Sequence, residues 1–246
     1  MEYPKINSLY KRQGYGPYDE MKRRYVSDLE MKPRKGKLIM GEYACEEFGS
    51  ISKWTVTEKV DGTNVRIIFD RNDAGRVSLR GRTDDAQFPS VLLDYIYDTF
   101  TSEKMDSVFF ESNKVVLFGE GYGSKIQSGG YYRSDSSFIL FDALIDDWWL
   151  KRDSIAVVAK QLGIDHCKLL RRQNEDYYWS IDQIVSYIQS KPNSILAEKQ
   201  HIMEGIVARS EPQMLFRKPP IVCDDPLAFA SYHVPIMFKL KCKDFE

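Results

Sequence analysis

The sequence predicts a mixed α+β domain on largely antiparallel sheets with flanking helices, and three observations carry that expectation. Short runs of strand character dominate the chain. Helical stretches fall between them without the regular strand–helix alternation of a parallel array. A content of 43% hydrophobic and 13% aromatic residues in 246 supplies a sizeable packed core. With no fixed-period repeat and no low-complexity linker, a single domain over residues 1–246 is expected.

Strands are expected at 54–60, 65–70, 77–80, 114–120, 138–144, 204–209 and 235–241, where β-branched and aromatic residues concentrate. One helix is expected over 153–161, with Gly163 as its stop. Another opens at Ser180, whose spacing to Gln183 makes a capping box. Ile181, Ile184, Val185 and Ile188 then follow the i, i+3, i+4, i+7 pattern of a buried stripe, which reads as core rather than function.

Thirty-five basic residues against 36 acidic ones leave a net charge of -1, so any nucleic-acid surface must be local. Basic clusters occur at Lys22, Arg23 and Arg24, at Lys32, Arg34, Lys35 and Lys37, and at Arg171 and Arg172. Taken singly, each reads as solvated surface charge. Cys45, Cys167, Cys223 and Cys242 show no CxxC spacing, which argues against a disulfide framework or zinc site and fits reduced thiols. The polar amino terminus and the lack of a long apolar run lead to the expectation of a cytoplasmic protein (host cytoplasm if viral) with no membrane partner. His166, His201 and His233 form no metal spacing and read as structural or surface residues.

Thr57-Glu58-Lys59-Val60-Asp61-Gly62-Thr63-Asn64 puts a lysine at a strand end, followed by an acid and a glycine that can turn the chain. A lysine attacks only as a neutral amine, a form favoured by nearby positive charge or desolvation. K-x-D-G alone arises by chance in about one chain in twenty of this length. An Asp-Gly hairpin turn is then the plainer reading. The ordered series after it changes the balance. Ser78-Leu79-Arg80-Gly81-Arg82-Thr83 offers arginines, Phe118-Gly119-Glu120-Gly121 a carboxylate, and Phe138-Ile139-Leu140-Phe141-Asp142 an aromatic wall. Met203-Glu204-Gly205-Ile206-Val207-Ala208 carries a further carboxylate into a strand, and Phe238-Lys239-Leu240-Lys241 two lysines on one strand face.

These segments resemble, in order, motifs I, Ia, III, IIIa, IV and V of the covalent nucleotidyltransferase superfamily of ligases and RNA-capping enzymes. They span Glu58 to Lys241, about three quarters of the chain. The run from Lys239 to Glu246 and the run from Glu58 to Asn64 are especially similar to the phage-type, nick-sealing branch of ATP-dependent RNA ligases. Tyr3-Pro4-Lys5-Ile6 also resembles the opening of such enzymes. The resemblance implies an ATP-grasp-like adenylylation domain and an RNA-repair ligase that uses ATP with Mg2+ or Mn2+ to join RNA ends, a nicked duplex foremost, as a monomer.

Carried over residue by residue, the resemblance makes Lys59 the nucleophile that takes AMP from ATP, with Lys239 and Lys241 meeting the α-phosphate. Glu204 and Asp61 would hold a hydrated divalent cation, Glu120 the ribose hydroxyls, and Glu58 and Asn64 the base and the phosphate edge. Phe141 would stack on adenine, with Phe138 as the alternative. Arg82 is preferred over Arg80 as the arginine that grips ribose or phosphate, since it precedes Thr83. Taken alone, each carboxylate reads equally as a salt-bridged structural group and each phenylalanine as core.

A DNA ligase and an RNA-capping guanylyltransferase are the competing enzymes. Both normally append an OB-type domain after motif V; no such or other accessory domain is visible after Lys241, which disfavours both. A non-catalytic nucleic-acid-binding protein retaining the fold is disfavoured by the complete set of motif residues.

Overall fold

A computed structural model describes residues 3–13, 18–19, 24–25, 36–73, 76–83, 86–127, 129–172, 177–218 and 232–246. The chain opens with strands β1 (Asn7–Ser8), β2 (Tyr10–Arg12), β3 (Tyr18–Asp19), β4 (Arg24–Tyr25) and β5 (Leu38–Tyr43). Then come β6 (Trp54–Lys59), β7 (Thr63–Asp70), β8 (Arg76–Arg80), helices α1 (Ser90–Thr99) and α2 (Ser102–Val108), β9 (Lys114–Gly123), β10 (Ser136–Ile145) and β11 (Trp148–Trp149). Helix α3 (Arg152–Leu162), β12 (Asp165–His166), β13 (Tyr178–Trp179), α4 (Ile181–Gln189), β14 (Gly205–Ser210), β15 (Leu215–Lys218), β16 (Tyr232–Pro235) and β17 (Met237–Lys241) complete it.

Two sheets organise these elements. A five-stranded sheet runs β1-β17-β14-β6-β13, and a six-stranded one runs β11-β10-β9-β7-β8 with β12 beside β10. The pairings are antiparallel except for β1 with β17 and β12 with β10. The α+β expectation therefore holds. The expected strand at 235–241 divides at Ile236 into β16 and β17, while α3 starts at Arg152 and α4 carries the expected capping box. No described helix is long and apolar enough to cross a membrane.

Strand alternation gives each sheet a helix-covered face and a face turned toward the other sheet. In the first sheet Trp54, Val56, Ile206, Ala208, Phe238 and Leu240 join the core that contains Ile184 and Ile188 of α4. In the second, Val65, Ile67, Phe69, Val115 and Leu117 pack with side chains of α1, α2 and α3. Residues of opposite parity are left to the space between the sheets. Those residues are Lys59, Val207, Arg209, Lys239 and Lys241 from one side and Asn64, Arg66, Phe118 and Glu120 from the other.

Asp61-Gly62 is not a hairpin turn, because β6 and β7 belong to different sheets and the chain crosses between them in three residues. A Cβ at Gly62 would lie 2.3 Å from the Gly121 carbonyl oxygen and 2.8 Å from Cγ of Glu120. Only glycine lets this crossing lie against β9.

A buried ion pair ties the sheets at the back of the interlayer space. Arg209 of β14 donates to Asp142 of β10 at 2.7 and 3.3 Å, and Tyr3 Oη donates to the same carboxylate at 3.0 Å. The pair is 3% and 0% exposed. Removing one partner strands the other charge in low dielectric, so Asp142→Ala is expected to cost about 3–5 kcal/mol. Chemical denaturation reads this directly, and a cost under about 1 kcal/mol would mean that the pair does not hold the layers together.

Candidate active site

The interlayer space holds a cavity of about 200 Å3 that opens to solvent. Of the residues singled out in the sequence, Glu58, Lys59, Asn64, Arg82, Glu120, Phe141 and Lys239 line it. Glu204 and Lys241 join them through ion pairs.

Register explains the nucleophile's surroundings. Lys59, Gly205 and Lys241 stand side by side on β6, β14 and β17. A Cβ at Gly205 would meet the Leu240 carbonyl oxygen at 2.1 Å, so glycine permits the close packing at this row. Glu204, one residue before it, takes both ammonium groups: Lys59 Nζ donates to Oε2 at 2.5 Å and Lys241 Nζ donates to Oε1. Lys59 also donates to the Val60 carbonyl at 3.3 Å. Burial alone would raise the Glu204 carboxyl, but the two lysines outweigh it and hold Glu204 below its usual range.

Glu120 stands opposite Asn64 in the β7–β9 register. Burial pushes its carboxyl up to about 7; Lys59 and the Gly62 amide act against this, and Glu204 and Asp61 add to it. Between its ordinary 4.5 and about 7, the folded protein holds a proton that the unfolded chain has released. Stability from this group is therefore present at low pH and falls as pH rises through that window. Glu120→Gln removes the titration. In metal-free buffer it is expected to gain stability relative to the parent between pH 5 and pH 8, by up to about 3 kcal/mol. An equal difference at both pH values in denaturant titrations would contradict this.

The aromatic alternatives are separated by geometry. Phe138 is fully buried on the helix-covered face, edge-on to Phe100 at 5.4 Å. The β9–β10 register slips between Leu140 and Asp142, a bulge that turns both Phe141 and Asp142 toward the interlayer space. Phe141 is braced edge-on by Tyr3 at 4.9 Å, and its carbonyl accepts from Arg152 Nη1 at 3.1 Å. The arginines separate too: Arg82 lines the cavity, whereas exposed Arg80 donates to the Leu79 carbonyl.

Two residues stand differently from the rest. Glu58 shares strand parity with Trp54 and Val56, and its Oε2 accepts from the Ile195 amide at 2.8 Å. Its Oε1 is buried without a protein partner, and burial raises its carboxyl. Asp61 lies outside the cavity lining, its amide donating to Tyr132 Oη at 3.1 Å.

Among the described residues no three His, Cys, Asp or Glu side chains form a ready cage for a metal ion. Glu204, Asp61 and Lys59 nevertheless all act electrostatically on Glu120, which places the three carboxylates, a set of hard oxygen donors, in one neighbourhood. Such a set fits Mg2+ or Mn2+ held partly through water and ligand phosphates.

Several residues of this site were not singled out in the sequence. Arg66 donates from Nε to the Gly81 carbonyl at 2.7 Å and so fixes the loop carrying Arg82. Tyr132 anchors the crossing at Asp61; one cavity wall is formed by Tyr3, Pro4, Lys5 and Ile6, which the sequence did mark. The only signal for that wall was a four-residue resemblance near the terminus.

The model of the RNA ligase family matches residues 52–222, more than half of the chain. The chain belongs to the RNA ligase family. No curated protein matches it significantly. Among solved structures, this RNA ligase family member is similar to a mutant Naegleria gruberi RNA ligase with ATP and Mn. The TM-score is 0.53 at 17% identity, over 85% of this chain and 58% of that one. A mutant of the same ligase with AMP and Mn matches with TM-score 0.53 at 18% identity over the same shares. Naegleria gruberi RNA ligase with PPi matches with TM-score 0.50 at 20% identity, over 65% and 46%. The likeness at this identity is one of fold, and the chain spans about half the length of those structures.

Proposed function

We propose that this chain is the adenylyltransferase unit of an ATP-dependent RNA ligase that joins a 5′-phosphate to a 3′-hydroxyl through a lysyl-AMP intermediate. The observation that carries the reading is the convergence of Lys59, Glu204 and Lys241 beside the cavity that Lys59 and Lys239 line. In the first step the Lys59 amine bonds to the α-phosphorus of ATP and the bond to the β-phosphate breaks, releasing pyrophosphate. In the second, a 5′-phosphate oxygen of the polynucleotide attacks that phosphorus and Lys59 leaves. In the third, a 3′-hydroxyl attacks the activated 5′-phosphorus and AMP departs. All three are in-line phosphoryl transfers, in which positioning and charge neutralisation do most of the catalysis.

The remaining residues divide that work. Lys239 and Lys241 neutralise the α-phosphate, Phe141 supports the base, Glu120 accepts from ribose hydroxyls as a carboxylate, and Asn64 and Arg82 reach the phosphate and ribose edges. Glu204, with Asp61 nearby, would hold a divalent ion, which when bound supplies charge neutralisation to the triphosphate. The similarity to Naegleria gruberi RNA ligase structures with ATP, AMP, Mn and PPi supports these ligand classes.

The natural partner is inferred to be RNA ends, a nicked duplex first, with the chain acting as a monomer. Four nicked duplexes, RNA or DNA on each side of the nick, test this. Sealing is expected to be best when the 3′-hydroxyl strand is RNA, because a ribose 2′-hydroxyl offers a contact that DNA lacks. Equal or better sealing of the all-DNA nick would overturn the RNA assignment.

A further inference from the structure

Behind the wall made by Arg152, Cys167 and Arg209 lies a second, larger groove of about 730 Å3 that shares those residues with the nucleotide cavity. None of the residues assigned above to adenylylation lines it. Its rim carries exposed Lys151, just before α3, and exposed Lys168 and Arg171 from the segment that follows β12. Its floor reaches Arg152 and Arg209. Acidic Asp153 and Glu211 also line it, so the surplus is positive even with Arg209 paired to Asp142.

Three further features point to an anionic ligand. The groove meets the amino-terminal turn of α3, an eleven-residue helix whose N-cap, Lys151, supplies no side-chain cap to the free amides. That end of a helix attracts phosphate oxygens. Arg209 is 3% exposed, and its Nε has no hydrogen-bond partner, as is also true of Arg152 Nε. His166 in the groove is held below its ordinary range by burial and by the charges of Lys168 and Arg152, which registers the positive field there.

The chemistry fits a strand rather than a small anion. The charges are spread along an open groove whose lining also includes the partly exposed amide of Gln213. Such groups contact phosphate and sugar without reading sequence. At one end Tyr177 lies under Arg171 at 4.8 Å, and Tyr178 is 42% exposed beneath Lys53 at 5.4 Å. Aromatic faces beside cations are platforms for unpaired bases.

We propose that this groove binds the sugar–phosphate backbone of the RNA substrate, on the opposite side of the wall from the nucleotide. The assignment rests on the ligase reading above. It makes Lys168 and Arg171 substrate-gripping residues with no part in lysyl-AMP formation.

The test compares the parent chain, Lys168→Ala/Arg171→Ala and the charge-matched Lys114→Ala/Lys160→Ala. Binding of a fluorescent nicked RNA duplex is measured over a salt series, and self-adenylylation with ATP and Mg2+ in parallel. The groove variant is expected to bind roughly 10- to 100-fold more weakly, with the slope of log Kd against log salt reduced by about 2. Its adenylylation should stay within about twofold of the parent, and the control variant should bind as the parent does. Parent-like binding by the groove variant, equal loss in the control, or no measurable binding by the parent at low salt would each overturn the groove. A parent that binds RNA through the groove but never adenylylates would overturn the ligase reading instead, and leave the groove standing.

Discussion

Lys59→Ala is expected to abolish self-adenylylation, a loss of roughly 10^4-fold or more, as removal of a covalent nucleophile does elsewhere. The side chain is half-buried at the end of β6, and among the described residues its ammonium group donates to Glu204 and the Val60 carbonyl. Lys241 still neutralises Glu204 in the variant, so the fold should survive. Unfolding midpoint and circular dichroism check the fold, and single-turnover incubation with ATP checks the chemistry. Lys59→Arg should be equally inactive, since a guanidinium keeps the charge and cannot act as the nucleophile. A folded Lys59→Ala protein that still takes up AMP would remove Lys59 from the mechanism.

Glu204→Ala carries the second large effect, and the structure gives it a sharper form than the sequence did. The carboxylate is shared by Lys59 and Lys241, and both ion pairs are only partly buried, at 23%, 14% and 16% side-chain exposure for Lys59, Glu204 and Lys241. Its loss should cost little stability, no more than about 1–2 kcal/mol. Adenylylation should fall by roughly 10^2- to 10^3-fold or more, because the variant lacks both the oxygen donors for a divalent ion and the group that gathers the two lysines. Glu204→Gln keeps the shape and loses the charge, and is expected to be nearly as impaired. Near-parent rates in either folded variant would sink the role given to Glu204.

Much of this site was legible because strand parity is a strict rule. Two lysines two apart on β17 must share a face, and the structure turns Lys239 and Lys241 to the interlayer space while the alternating Phe238 and Leu240 enter the core. The stripe and capping box of α4 were readable for the same local reason. Helices α1 and α2 were not. Ser90–Thr99 is rich in apolar and aromatic residues, follows Pro89 without a side-chain cap, and fully buries only Leu92 and Ile96. Ser102–Val108 has seven residues, too few for a periodic signal.

Long-range pairings escaped entirely. The bond between Asp142 and Arg209, the grip of Arg66 on Gly81 and the sharing of Glu204 by two lysines depend on sheet register across as many as 145 residues. The bulge at Phe141 leaves no mark in spacing, so Phe138 and Phe141 stayed open until the register was known. Lys22, Arg23, Lys32, Arg34 and Lys35 lie outside the described residues. The pair at Arg171 and Arg172 read as ordinary surface charge until Lys151 and Lys168 were found beside Arg171.

The most direct test is to incubate the protein with each labelled nucleoside triphosphate and Mg2+ and map the modified peptide. Label from ATP alone, released by acid as expected for a phosphoramidate and located on Lys59, is the predicted result. Label on another residue, label from GTP in place of ATP, or no covalent label would contradict it.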